Sequence, residues 1–409
     1  MTTTLEITHE EWRQRRQQLA DQMPKNSIAL LSGAKQMIRN NDTAYPFRQD
    51  SDFYYVTGFA EPGAFFILRK NQDGTHDSIL FCEILSLEQE KWIGKKRGVA
   101  EAISECGMDE AYSASELEDR LPVLSAGYET WMDFKALIHE QRLIKSPTEI
   151  ALMQKAADIS AEAHIAVMQH CQPQQRELDL EGVFVAKAYQ AGCRFMAYMP
   201  IVGGGANACT LHYTRNDQKL QAGDLVLVDA AVEYKNYAAD ITRTFPVNGK
   251  FSLEQILIYE CVLKAQVAVI DSIRPGILWG SLQNIAVQQL VLGLVSLGLL
   301  KGRVEDLIAA KAHKIFYMHG SGHWLGLDVH DAGSYQFNGE SRVLQAGMVL
   351  TVEPGLYLAP DELSIEARWR GIGVRIEDDV LVTETGARVL SQKVPKTVAE
   401  IERLMQTAP

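Results

Sequence analysis

The sequence predicts a mixed α/β protein of two domains, and three features carry that expectation. Its 409 residues, 46% of them hydrophobic, exceed what one ordinary core takes up. Short apolar runs bounded by turn residues recur with stretches of helical periodicity along the chain. A helix start at Ser146, Pro147 and Glu149 follows the run RLIKS and sets a boundary that divides the chain into residues 1–142 and 143–409.

In the first domain, residues 9–22 read as an amphipathic helix, with Thr8 as N-cap and Glu11 three residues on in the capping-box arrangement. The runs SIALLSG, DFYYVTGF, AFFILRK and DSILFCEI read as strands, because they are short, rich in aliphatic and aromatic residues, and separated by Gly, Pro, Asn and Asp. Helical patterns around 98–105 and 114–121 complete a mixed α/β unit. The second domain opens on a long helix, since Ser146 can cap it, Pro147 suits the first helical position and Glu149 can reach back to the cap. From there, helices over 151–170, 178–191, 253–273, 280–299 and 303–312 alternate with strand pairs. No low-complexity tract or short-period repeat interrupts them.

Charge and composition narrow the function. A formal net charge of −12 argues against a nucleic-acid partner, which is held through clustered Lys and Arg. The opening MTTTLEITHEEWRQRRQQL lacks an apolar core and a small-residue cleavage site, so no signal peptide is expected. The greasiest stretch, Val287 to Leu300, falls short of the ~20 apolar residues of a membrane span, so no membrane crossing is expected either. Cys82, Cys106, Cys171, Cys193, Cys209 and Cys261 form no CxxC pair, which points to reduced thiols and a cytoplasmic setting.

The chemistry gathers in the second domain. In GDLVLVDAAVEYKNYAADITRTF two apolar runs flank a polar YKN turn, the pattern of a β-hairpin. Asp229 and Asp240 are symmetric about the midpoint between Tyr234 and Lys235, so a turn centred there sets them opposite each other, with Cβ atoms ~5 Å apart. Two carboxylates that close repel unless a proton or cation lies between them. They would be ordinary solvated acids beside a turn, except that Asp229 follows the apolar run Leu225 to Val228 and belongs at a buried strand end.

The segment MHGSGHWLGLDVHD concentrates His319, His323 and His330, three of the chain's ten histidines. A single histidine is more often a satisfied core residue; three beside small glycines suit metal binding and proton transfer close to a substrate. MVLTVEPG ends an apolar run on Glu353, and RGIGVRIEDDVLVT carries Arg375 and Glu377 within another. Strand alternation puts Arg375, Glu377 and Asp379 on one face and Val374 and Ile376 on the other. The plain alternative is a surface Arg375–Glu377 pair on an edge strand. Taken together, four strand-borne carboxylates and one imidazole form an oxygen-rich set suited to Mn²⁺, Co²⁺ or Fe²⁺. Five such ligands can hold two ions when carboxylates bridge, and two ions ~3.5–4 Å apart acidify a shared water, which implies amide hydrolysis.

At these residues the chain strongly resembles the pita-bread metallopeptidases, whose dinuclear signature is an Asp, Asp, His, Glu, Glu order at this spacing. Within that family it is most similar to the aminopeptidase P group, in YPFRQDSDFYYVTGF, LHYTRND, EYKNYAADITRTFPVNGKF, HWLGLDVHD and GMVLTVEPGLY, and the match runs over nearly the whole chain. The resemblance implies a creatinase-like mixed α/β N-terminal domain, serving oligomerisation and active-site capping, and a C-terminal pita-bread catalytic domain, a curved antiparallel sheet covered by helices. It implies hydrolysis of the N-terminal Xaa-Pro bond of peptides, with two divalent ions as cofactors: Mn²⁺ first, Co²⁺, Fe²⁺ or Zn²⁺ as alternatives.

Residue by residue, the resemblance makes Asp229 a ligand of one ion, Asp240 and Glu377 bridges, and His323 and Glu353 the completing ligands of the second ion. Glu353 also handles the proton of the bridging water. His212 and His330 contact substrate and steady the tetrahedral intermediate. His319, Tyr357 and Arg375 line the pocket for proline, while Trp92 and Asp42 reach a neighbouring subunit's site in a homo-oligomer, tetramer or dimer. Ala231 stands where the family often has glycine, Gly322 where it often has serine, and the stretch between Trp92 and Leu143 is shorter than in close relatives. The run Ala359 to Trp369 receives no role.

Two alternatives stay open at this level. Prolidase shares all five ligands but cuts only dipeptides, so hydrolysis of a tripeptide separates the two. A non-catalytic binding protein of the same fold is disfavoured because all five ligand positions are retained.

Overall fold

The structure, a computed structural model, describes residues 5–406. By its contacts the chain divides between Arg142 and Leu143 into two compact units. In the first, the Thr8 hydroxyl caps the helix His9–Gln22 by accepting from the Glu11 N–H. A five-stranded sheet follows, in the spatial order Glu110–Ser113, His76–Cys82, Phe65–Lys70, Ser27–Ser32, Thr130–Trp131. The central three strands pair antiparallel and the outer two add in parallel. Ile28, Ile67, Ile79 and Phe81 on these strands are fully buried and form a core on one face.

One segment departs from the sequence expectation. DFYYVTGF is not a strand: Ser51–Thr57 is a helix of 7 residues, with the Asp50 carboxylate accepting from the Phe53 N–H at 2.9 Å and Gly58 ending it at φ 66°. Aromatic and β-branched residues favour strands only where a pleated surface receives them, and here caps at both ends prevail. Gly58 is also required by space, because a Cβ there would stand 2.3 Å from the Trp12 ring.

The second unit begins with the helix Pro147–His170, whose cap is reciprocal: the Ser146 hydroxyl accepts from the Glu149 N–H and the Glu149 carboxylate from the Ser146 N–H. The helices Glu177–Gln190, Leu253–Ser272, Trp279–Ser296 and Val304–Ala309 follow. The ladders of this unit are antiparallel. Leu225–Asp229 lies between Ile201–Gly204 and Thr242–Pro246, Val349–Val352 pairs with Asp378–Val382, and Gly355–Leu358 pairs with Ile372–Arg375. The helices Leu253–Ser272 and Trp279–Ser296 cover the Val349–Val352/Asp378–Val382 ladder through one core, in which Val269, Ile273, Leu282 and Ala286 pack with Trp324, Leu350, Val352, Val380 and Val382. This is the pita-bread architecture expected from the resemblance.

Among the described residues no helix is long and apolar enough to cross a membrane. The six cysteines are free thiols.

Two registers differ from expectation, and both bear on the site. The hairpin turns between Lys235 and Asn236, at φ 49° and 69°, with Tyr234 paired to Tyr237. That centre is one residue later than symmetry about Tyr234 and Lys235 requires. A two-residue turn of this kind needs two successive left-handed residues, and Asn accepts that conformation readily. Asp229 therefore pairs with Thr242, and Asp240 is its diagonal neighbour on the same face. The second difference is that the alternation of Arg375, Glu377 and Asp379 is not carried by one strand. The chain passes from one ladder to another at Ile376–Glu377, and Asp379 turns to accept from the Asp240 N–H at 3.1 Å.

Candidate active site

Separate chain segments bring the ligand candidates together. Asp229 ends a fully buried strand run and is itself 8% exposed. The loop Ser321–Leu325 runs alongside Val349–Val352, with Leu325 N–H donating to Val349 O, Thr351 N–H to His323 O and Glu353 N–H to Ser321 O. That pairing sets His323 beside Glu353. Gly322 makes it possible, because a Cβ there would stand 2.0 Å from the Thr351 carbonyl oxygen. Arg375, at the end of the strand Ile372–Arg375, and Glu377, where the chain passes to the next ladder, complete the lining.

These side chains converge on one cavity of about 280 Å³, lined by His212, Asp229, Asp240, His319, His323, His330, Glu353, Arg375 and Glu377 together with Leu211, Gly320 and Gly322. Ligand atoms of Asp240, His323 and Glu377 lie within 4.8 Å of one another. His323 Nε2 is 3.3 Å from Asp240 Oδ2 and 3.5 Å from Glu353 Oε1. Its Nδ1 bonds the Trp324 carbonyl at 2.9 Å, which fixes the ring and leaves Nε2 facing the carboxylates.

The electrostatics show a site short of positive charge. Burial drives the Glu377 carboxyl well up, and Asp240, Glu353 and Asp229 add to the effect. Burial, opposed by His323 and aided by Asp240, lifts Glu353 to about 7. His323 shows the complement: burial works against its charge, yet the hydrogen bond and charge of Asp240, with Glu353, lift it to about 9. Among the described residues only Arg375 supplies a permanent cation to this cavity, and its Nη2 is committed to Asp229 Oδ2 at 2.6 Å. Oxygen donors in excess, one imidazole with a fixed free nitrogen and buried acids that resist ionising together fit a divalent metal, which supplies the missing charge.

Beside this cluster His319, Tyr357 and Arg375 form a relay. Arg375 Nη1 donates to the Tyr357 hydroxyl at 2.9 Å, and that oxygen is 2.8 Å from His319 Nε2. His319 Nδ1 lies 2.8 Å from Gly320 O. Burial and the Arg375 charge push His319 down to about 4, so its ring is neutral, with Nδ1 donating and Nε2 accepting. His212 and His330 are exposed at the mouth of the cavity, and the His330 ring meets that of His323 edge-on at 4.3 Å.

Asp42 and Trp92 belong to the N-terminal unit, both exposed, Trp92 at 84% on the helix Leu87–Ile93; the cavity is lined wholly by the C-terminal unit. Three supporting residues, Tyr198, Thr242 and Thr351, escaped the sequence reading, and Asp379, named there, takes a different place. Tyr198 donates to Asp229 Oδ1 at 2.5 Å. Thr242 donates to Glu377 Oε2 at 2.7 Å and accepts from Arg375 Nε. Thr351 accepts from the His323 N–H, and Asp379 holds the Asp240 N–H. Alternation along DITRTF could have found Thr242, two residues from Asp240. Nothing in AYMP marks Tyr198.

A carboxylate-rich cation site set in a pita-bread sheet defines a metal-dependent peptide hydrolase. Residues 151–384 match the model of metallopeptidase family M24 and residues 12–132 that of the aminopeptidase P N-terminal domain. The chain belongs to family M24, in its aminopeptidase P branch. It is 43% identical to the Xaa-Pro aminopeptidase of Escherichia coli over 98% of this chain and 99% of that protein. It is 45% identical to that of Haemophilus influenzae, over 98% of each. Among solved structures, Zn-substituted E. coli aminopeptidase P in complex with product superposes with a TM-score of 0.95 at 43% identity, covering 99% of each chain. Aminopeptidase PepP of Pseudomonas aeruginosa does so with a TM-score of 0.95 at 44% identity, again over 99% of each.

Proposed function

We propose that this protein hydrolyses the bond between the first residue and a proline at the second position of peptides, releasing the N-terminal amino acid. The carrying observation is the convergence of Asp229, Asp240, His323, Glu353 and Glu377 on a cavity walled by the His319–Tyr357–Arg375 relay. Asp229, Asp240 and Glu377 would hold one divalent ion and Asp240, His323, Glu353 and Glu377 a second, with Mn²⁺ ranked ahead of Co²⁺, Fe²⁺ and Zn²⁺ by donor type. When bound, the metal supplies Lewis-acid polarisation of the scissile carbonyl and a water acidified towards neutral pH.

The chain's own groups do the rest. Glu353 takes a proton from the attacking water and passes it to the proline nitrogen, which leaves as a secondary amine. His212 and His330 donate to the oxygen on which negative charge develops. Neutral His319, held by Tyr357 and Arg375, walls the proline side. A bond before proline is a tertiary amide with no N–H to satisfy and a ring of fixed shape, so a close-fitting wall selects it.

Met37, Ile38, Leu87, Trp92 and Ile93 are exposed apolar residues of the N-terminal unit, at 55–84%. Such a surface supports a homo-oligomer, tetramer or dimer, in which Asp42 and Trp92 approach a neighbour's site. Six free thiols support a cytoplasmic setting. The function is tested with Mn²⁺-loaded enzyme on Ala-Pro-Ala and Ala-Pro: free alanine released from the tripeptide is expected. Cleavage of the dipeptide alone makes the enzyme a prolidase, and no cleavage of either makes the fold a binding module.

A further inference from the structure

The catalytic cavity has two neighbours. One, of about 390 Å³, shares His212, Asp229, Asp240 and His330 with it. The other, of about 610 Å³, shares His319 and Gly320. The two neighbours have no residue in common, so they adjoin different parts of the catalytic cavity's wall. At about 280 Å³, that central cavity is smaller than most clefts that enclose a ligand of peptide size. A bound peptide must extend into the flanking spaces.

The linings of the two neighbours differ in charge. The first carries the carboxylates of Asp229 and Asp240. The cavity beyond His319 has no carboxylate in its lining and presents Lys311, His313 and Lys314 with the side-chain amides of Gln283 and Asn284. Neither ammonium is ion-paired among the described residues. Lys311 is held at φ 53°, a left-handed conformation uncommon for lysine, at the head of the short 3₁₀ turn Ala312–Ile315. His313 on that turn is 6% exposed, and its Nδ1 has no hydrogen-bond partner.

We propose that the cavity lined by Lys311, His313 and Lys314 is the subsite for the peptide beyond proline, and that it selects a carboxylate there. This rests on the peptide-hydrolase reading above. The carboxylate is either the C-terminus of a short peptide or an acidic side chain. A short peptide is then aligned at its far end: its carboxylate is drawn to the lysines, and its first bond lies over the catalytic cavity. Two exposed, solvent-screened ammoniums set the scale at about a fivefold preference.

The test compares kcat/KM for Ala-Pro-Ala, its C-terminal amide and Ala-Pro-Glu amide. The free acid is expected to exceed the Ala-Pro-Ala amide by about fivefold at low ionic strength, with the ratio shrinking towards one in about 0.5 M salt. A gain for the Glu amide as well supports capture of any carboxylate; a gain for the free acid alone supports capture of the C-terminus. The double variant Lys311→Asn/Lys314→Gln, in which asparagine keeps the left-handed backbone, should bring the ratio to one. Lys314→Glu should instead favour Ala-Pro-Lys amide over Ala-Pro-Ala amide, a gain that a misfolded protein cannot give. Equal values for acid and amide in the wild type, or a preference that survives the double variant, overturn the subsite alone. No hydrolysis of any of the peptides overturns the functional reading with it.

Discussion

Asp378 is the acid on which the position of Glu377 depends, and Asp378→Asn is the most informative single change. The carboxylate is fully buried and accepts from Arg243 Nη2 at 2.7 Å, Lys396 Nζ at 2.6 Å, Gln266 Nε2 at 2.7 Å and Ser391 Oγ at 2.7 Å. Arg243, equally buried, also donates to the carbonyls of Thr242 at 2.9 Å and Glu377 at 2.5 Å, tying the strand Thr242–Pro246 to the segment that carries a metal ligand. Asparagine keeps the shape but leaves Arg243 a buried charge without its counter-charge, a loss of about 3–5 kcal/mol. The amide retains one acceptor, so the lower end, about 3 kcal/mol, is expected. At about 2–4 °C per kcal/mol for a unit of this size, the melting midpoint at pH 7 should fall by about 6–12 °C in calorimetry.

The pH dependence gives a second check. Burial alone would raise the Asp378 carboxyl, but Arg243 and Lys396 more than offset it and hold the group far below the usual carboxylate range. A folded-state pKa below the unfolded one stabilises fully above the unfolded value of 3.8 and is lost as pH falls beneath it. The gap between wild type and Asp378→Asn should therefore be constant from pH 7 to about 5 and close in more acidic solution. A variant melting within about 1 °C of wild type at pH 7, or a gap unchanged well below that carboxylate range, would refute the assigned role.

Three further outcomes follow from the site. Glu353→Gln should lower kcat by about 10²–10⁴, as loss of a proton-transfer group does, and wild-type turnover in this variant would remove Glu353 from the mechanism. Tyr357→Phe leaves the buried Arg375 Nη1 and the His319 Nε2 without their shared partner, at about 1–3 kcal/mol. Steady-state kinetics on Ala-Pro-Ala should show a loss of about 5- to 150-fold in kcat/KM, and an unchanged value would mean that the relay does not shape the proline wall. Stripping metal with a chelator should abolish hydrolysis and lower the melting midpoint, since a ligand at about 100 times its Kd contributes about 2.7 kcal/mol. Readdition of Mn²⁺ should restore both; chelator-resistant turnover would count against the metal centre.

What could be read from the chain was whatever is written locally. Ser146 and Glu149 announce the helix Pro147–His170 because a cap needs only residues three apart. The strand runs were legible in AFFILRK and DSILFCEI, but composition misled in DFYYVTGF, where Asp50 and Gly58 were the better guides to a helix too short for periodicity. The ligand candidates stood out as charges inside apolar runs, an expensive placement that sequence alone exposes.

Their geometry was settled by contacts between distant segments. Whether Asp229 faces Asp240 or Thr242 turned on which two residues of one hairpin took left-handed backbone, and a one-residue shift changes every cross-strand partner. Thr351 and Asp379 entered the site only once the Ser321–Leu325 loop lay along Val349–Val352 and the chain changed ladders at Ile376–Glu377, and Tyr198 only where its hydroxyl met Asp229. Residue type and spacing determined which chemistry was available, because ionisation, donor type and backbone freedom belong to each residue. Tertiary packing decided which donor meets which acceptor, because hydrogen bonds and ion pairs form only across a few ångströms of space.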